Sequence, residues 1–291
     1  MNTPVSATRL IPAVAVPEGA GVTVHRTIGT PALRNYDPFL LLDHISSDNP
    51  EDYIAGFPSH PHRGFSTFTY IIDGHMAHQD SMGNTGDLGP GSAQWMKAAS
   101  GVIHSEMPKQ ENGLLRGFQL WINLPAANKL DQPEYQEYSA AAFPVVETPE
   151  YRLKVLIGHF ADVSAPIVDN ITDVSYFDVQ VQPGKHFHHR LPVKNNSFLY
   201  VFEGSGQINE QIVPLHSLVT LETDDNSFDF IAGETGARFV VVSGKPILEP
   251  IVQYGPFVMN TREQIDQAMK DFQSNNFVRD RAWIKRDKRN N

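Results

Sequence analysis

The sequence predicts an all-β protein built from two similar antiparallel barrels, with a short helix near its C-terminus. Three observations carry this. Short runs rich in Val, Ile, Phe, Tyr and Thr recur along the chain, each bounded by Gly, Pro, Asn or Asp, as half-buried strands require. The run "FTYIIDG" at 68–74 returns as "FLYVFEG" at 198–204, an echo at an offset of 130 residues that marks two copies of one β-fold. Only "TREQIDQAMKDF" carries a helical period.

The elements follow in chain order. The opening "MNTPVSATRLIPAVAVPEGA" lacks a basic segment ahead of a long apolar one, so no secretion signal is expected. Strands are predicted in "STFTYIID", "SAQWMKAA" and "GFQLWINL", then in "RLKVLIG", "VSYFDVQV", "SFLYVFEG", "SLVTLE" and "ARFVVVSG". Between the two sets, 125–149 is rich in Pro and Ala and reads as a connector with room for a helical turn. The expected division is a first barrel over 1–130, a linker over 131–150 and a second barrel over 151–291. Thr261 with Gln264 three residues on forms a capping box, and Ile265, Ala268, Met269 and Phe272 share one face, giving a helix over about 261–273. The basic tail beyond it reads as a solvated end.

Composition narrows the function. A formal net charge of -10 argues against direct nucleic-acid binding through a basic face. No run approaches the roughly 18 apolar residues of a membrane span. There is no cysteine, which excludes thiolate ligands, disulfides and a cysteine nucleophile. A cytoplasmic protein is expected.

The chemistry concentrates in two short segments. "SHPHRGF" puts His60 and His62 one residue apart, and "VIHSEMP" does the same for His104 and Glu106. Residues i and i+2 of a strand point to one face. Either pair alone reads as a polar strand edge. Brought together on neighbouring strands of one barrel, they would offer three imidazoles and one carboxylate to a cation. That donor set suits one divalent metal, iron(II) first, with manganese, nickel, copper or zinc as alternatives. Four protein ligands on an octahedral ion leave two positions open. The second half also has histidines, His186, His188 and His189, but at the 130-residue offset Glu234 and Gly236 stand where His104 and Glu106 would be. Its cluster therefore reads as a strand or loop edge without catalytic function.

Other residues have weaker claims. Phe57, Phe65, Trp95, Met96 and Phe118 read mainly as core, with a pocket wall as the alternative. His75 and His78 follow the Asp73–Gly74 turn and are expected to be exposed. Asp43 and His44 are expected in a polar turn, with a place in the pocket as the alternative. Arg63 reads as structural, and Gly64 as relief from backbone crowding.

These motifs resemble the pirin family of the cupin superfamily. The likeness lies in "RTIGTPALRNYDPFLLLDHI", "HPHRGFSTFTYIIDG", "HQDSMGNTG", "PGSAQWMKAASGVIHSEMP", "GFQLWINLP" and "GPFVMNTREQIDQAMKDFQSNNF". The resemblance implies a bicupin, with its two barrels packed face to face and one metal in the first, usually iron. Motif by motif, the implied ligands are His60, His62, His104 and Glu106, and the second barrel is implied to be metal-free. Pirins commonly have a glutamate after the phenylalanine of "HPHRGF", where this chain has Ser66. That departure removes a carboxylate expected near the pocket. Two functions are implied. One is a dioxygenase of the quercetin 2,3-dioxygenase type, opening a flavonol-like substrate with O2, with Glu106 as a possible catalytic base. The other is a regulatory adaptor that binds a protein partner, such as a transcription regulator or a metabolic enzyme, according to metal or redox state.

Overall fold

The computed structural model describes residues 7–109, 113–221 and 227–286. The last residues of the basic tail, 287–291, and the first six of the segment read for a signal lie outside them. The chain divides into two compact units that are not contiguous in sequence. The unit carrying the paired histidines comprises 15–29, 39–141 and the chain from 247 onward; the other comprises 30–38, 142–246 and the N-terminal strand Ala7–Pro12.

In the histidine-bearing unit, an eight-stranded sheet runs in the order Val14–Glu18, Val22–Arg26, Phe39–Ser47, Leu115–Asn123, Phe65–Asp73, Ala93–Lys97, Glu134–Tyr138, Ile284–Lys285. A four-stranded sheet runs Phe57–His62, Val102–Pro108, Met76–Asp80, Thr85–Leu88. The apolar run "FLLLDHIS" is fully buried along most of its length, as a central strand covered on both faces must be. Glu134–Tyr138 falls inside the expected linker, yet it pairs antiparallel with Ala93–Lys97. Its charges hid an alternation: Tyr135 and Glu137 are buried, and Gln94 Nε2 donates to Glu137 Oε2 at 2.8 Å.

The other unit is built on a sheet ordered Ala7–Pro12, Ser217–Leu221, Asn196–Ile208, Ser227–Gly244, Ser175–Val181, Tyr151–Ile157, Val145–Glu147. Its core packs Phe177, Phe187, Phe228, Phe230 and Phe239 among Val, Leu and Ile side chains. Each such ring contributes roughly 1.5–3 kcal/mol on burial. The sequence echo has a structural meaning. Phe65–Asp73 lies between Leu115–Asn123 and Ala93–Lys97, and Asn196–Ile208 lies between Ser227–Gly244 and Ser217–Leu221. Each echoing strand is thus flanked on both sides by later strands of its own unit.

Helix α1, Arg262–Gln273, begins with the expected capping box: Gln264 N–H donates to Thr261 Oγ1, and the Gln264 side chain accepts from the Thr261 N–H. Ile265 and Ala268 are fully buried against Phe257, Met259 and Phe277. Phe272 stays 40% exposed, although its ring meets those of Phe257 and Phe277.

Candidate metal centre

Antiparallel pairing of Phe57–His62 with Val102–Pro108 sets His104 directly across from His60 and Val102 across from His62. One extra residue on the His60 side then shifts the register, so Glu106 faces Phe57. Such a bulge re-aims the side chains around it. The three imidazoles converge, with ring centroids 4.5 Å (His60–His104), 4.6 Å (His60–His62) and 4.9 Å (His62–His104) apart. Each offers one nitrogen, and these lie within 4.8 Å of one another. Glu106 lines the same pocket but falls outside that tight group.

The hydrogen bonding around the rings tests whether a cation fits. His60 Nδ1 lies 2.8 Å from Pro58 O and can donate only there, which leaves Nε2 bare. Both nitrogens of His62 and Nε2 of His104 are buried without a hydrogen-bond partner among the described residues. An unsatisfied buried polar atom costs about 1–3 kcal/mol. Burial, then the neighbouring imidazoles, pushes the pKa of His62 and His104 well below the ordinary histidine value. Those two rings therefore stay neutral, each with a free lone pair, the form a metal ion takes. Burial pushes the Glu106 carboxyl up, against the opposing pull of His60 and a hydrogen bond from Thr69 Oγ1 at 3.2 Å. A nearby cation would reverse that direction. The donor set fits a divalent ion.

The centre opens into a cavity of about 600 Å³. Phe57, Ile71, Met76, Phe118 and Trp121 supply apolar wall. A polar row crosses the wall in register: Arg26 opposite Asp43, Asp43 opposite Gln119, Gln119 opposite Thr69. Arg26 grips Asp43 through two hydrogen bonds, 2.7 and 2.6 Å, and reaches Glu18 at 2.7 Å. Gln253, Gly255 and Pro256 complete the lining.

Several expectations change here. Asp43 and His44 are buried within Phe39–Ser47, not in a turn; the apolar residues before them continue the strand through the acid, whose charge Arg26 neutralises. His78 is buried, not exposed, because inward residues of Met76–Asp80 alternate with outward ones. Its Nδ1 lies 3.3 Å from His104 Nδ1. His75 is exposed as expected. Phe57 and Phe118 line the cavity, whereas Phe65, Trp95 and Met96 lie outside its lining; Asp43 lines it too, and so do Trp121 and Gln119, which were not singled out by the sequence. Ser66 is buried but does not line the cavity. In the other unit, His186 and His188 are exposed, His186 meeting Asp229 at 2.9 Å, while His189 packs against Phe160, Phe177 and Phe228.

Gly64 and Arg63 tie this strand to the C-terminal segment. Gly64 has φ +91°, and a Cβ there would meet Val258 O at 1.9 Å. Only glycine permits both the dihedral and the approach.

Comparison with known proteins places these features. Residues 21–122 match the family model described as Pirin, and 176–278 the model described as Pirin C-terminal cupin domain. A Pseudomonas aeruginosa protein, provisionally named a quercetin 2,3-dioxygenase, is 46% identical over 88% of this chain and 92% of its own length. Human Pirin is 38% identical over 91% of this chain and 92% of its own. A solved quercetin 2,3-dioxygenase from Acinetobacter baumannii superposes with a TM-score of 0.87 at 29% identity, covering 95% of this chain and all of the other.

Proposed function

On the premise that this chain belongs to the pirin family, with its two cupin domains, we propose that the first cupin holds one divalent ion on His60, His62, His104 and Glu106 and acts as a dioxygenase of the quercetin 2,3-dioxygenase type. The observation that carries this is the convergence of three imidazoles beside a largely apolar cavity, two of them, His62 and His104, buried with unpartnered nitrogens. Iron(II) is the first choice of ion. An Escherichia coli pirin solved with nickel(II) shares the fold at 18% identity and a TM-score of 0.65, and nickel suits the same donors.

When bound, the ion would act as a Lewis acid that lowers the pKa of a flavonol hydroxyl. The chain's own residues do the rest. Phe57, Phe118 and Trp121 take up aromatic rings and keep the site dry. Gln119 and the Asp43–Arg26 pair meet the substrate's outer hydroxyls. Glu106, which accepts from Thr69 at one oxygen, would take the hydroxyl proton as the base on a carboxylate oxygen not held by the ion. No helix among the described residues is long and apolar enough to cross a membrane, and a cytoplasmic setting fits this reading.

The test is to load the protein with iron(II), add quercetin in air, and follow flavonol absorbance with oxygen uptake. Loss of both in equal amounts is expected. No turnover with iron(II), manganese(II), nickel(II), copper(II) or zinc(II) would contradict the enzyme reading and favour the adaptor role.

A further inference from the structure

We infer that His78 is a positioning residue that fixes the ring and tautomer of His104, so that His104 presents Nε2 to the cation. The inference rests on the metal reading above. Its basis is the 3.3 Å approach of His104 Nδ1 to His78 Nδ1 between two buried rings tilted by 55°.

A metal-binding histidine usually turns its second nitrogen to a carboxylate, a carbonyl or water. Here the nearest carboxylate on the neighbouring strand is already engaged. Asp80, directly across from His104, accepts from Met82 N at 2.9 Å and Asn84 N at 2.8 Å with one oxygen, and from Asn84 Nδ2 at 2.7 Å with the other. It holds its own turn. The next inward residue along that strand is His78, and its ring fills the role.

Two neutral imidazoles meeting Nδ1 to Nδ1 share one proton. If His78 donates, the proton of His104 must sit on Nε2, where it blocks a ligand position. If His104 donates, its Nε2 is bare, and the proton of His78 moves to its own Nε2. Nε2 of each ring lacks a partner among the described residues, so no other contact selects between the states. Occupation of the centre selects the second. The tautomers of the two histidines are therefore coupled, and His78 must supply an acceptor at its Nδ1 position.

Asparagine separates this role from simple packing. Its side-chain oxygen sits on Cγ, as Nδ1 of histidine does, whereas leucine fills similar space with no acceptor. Zinc(II) affinity, measured by competition with a chelating dye, is the readout. His78→Leu is expected to weaken zinc binding about 10–100-fold, and His78→Asn to stay within about threefold of wild type. Equal losses in both variants, or undiminished affinity in His78→Leu, would overturn the inference. Should His78→Leu fail to fold, 15N NMR of the zinc-loaded wild type decides: protons on His104 Nδ1 and His78 Nε2 support it, and any other arrangement overturns it. If the wild type itself binds no zinc, the metal reading fails first, which sets that outcome apart.

Discussion

His62→Leu is expected to raise the stability of the metal-free protein while abolishing its stabilisation by metal. The two effects have opposite signs because His62 is a poor core residue and a good ligand. Its ring is 2% exposed and packs edge-on against Phe65 and Trp121 at 5.1 and 5.2 Å. Neither nitrogen has a hydrogen-bond partner among the described residues, a cost of about 1–3 kcal/mol when the site is empty. Leucine fills similar volume without that cost. Removing one of three converging imidazoles should weaken the metal by more than about 100-fold, beyond the loss from an outer partner. Wild type at 100 times its Kd gains about 2.7 kcal/mol from the ion. Thermal melts with and without nickel(II) check both signs. A variant that melts lower than wild type without metal, yet keeps the metal-induced rise, would contradict the assignment.

Arg63→Met is expected to destabilise the protein by about 3–5 kcal/mol, the range for stranding one charge of a buried pair. Arg63 directly follows His62, a proposed ligand, and its guanidinium is almost wholly enclosed. Nε donates to Ser100 O at 2.6 Å, NH1 to Asp271 Oδ2 at 2.7 Å and NH2 to Phe277 O at 3.1 Å. The group also lies 4.3 Å from the Phe277 ring centroid. Its backbone joins the same segment, accepting from Val258 N and donating to Pro256 O. Lys129 adds a second staple, with its ammonium donating to Gly64 O, Asn123 Oδ1 and Val258 O at 2.6–2.9 Å. The clamp thus holds α1 and the cavity-lining segment around Gln253–Pro256 against the end of the strand Phe57–His62. Arg279 also reaches Asp271, but from a half-exposed position, so it compensates only in part. Adding Asp271→Leu removes the stranded carboxylate and should restore a large share of the loss. Urea unfolding measures both variants; a loss under about 1 kcal/mol in Arg63→Met would show that the pair is not the clamp.

The candidate histidine cluster was legible because its information is local. His60 with His62, and His104 with Glu106, need only the two-residue period of a strand to share a face, and the pairing register then aligns His60 with His104. The echo at 68 and 198 was legible because equivalent strands face equivalent neighbours. The rest depends on contacts far apart in sequence. Nothing in "ATRLIP" announces that Ala7–Pro12 pairs with Ser217–Leu221, and that pairing is one of the exchanges, with 30–38 and the chain from 247 onward, that make the units discontinuous. Asp43 reads as a turn residue until Arg26 arrives from the adjacent strand. His78 reads as exposed until its neighbour across the sheet proves to be the His104 strand.

The most direct measurement is anomalous diffraction from a crystal grown with nickel(II), collected on both sides of the metal edge. The account predicts one peak per chain, bonded to Nε2 of His60, Nε2 of His104, a ring nitrogen of His62 and a carboxylate oxygen of Glu106. A chain with no peak there, or with its peak at His186–His189 instead, would contradict it.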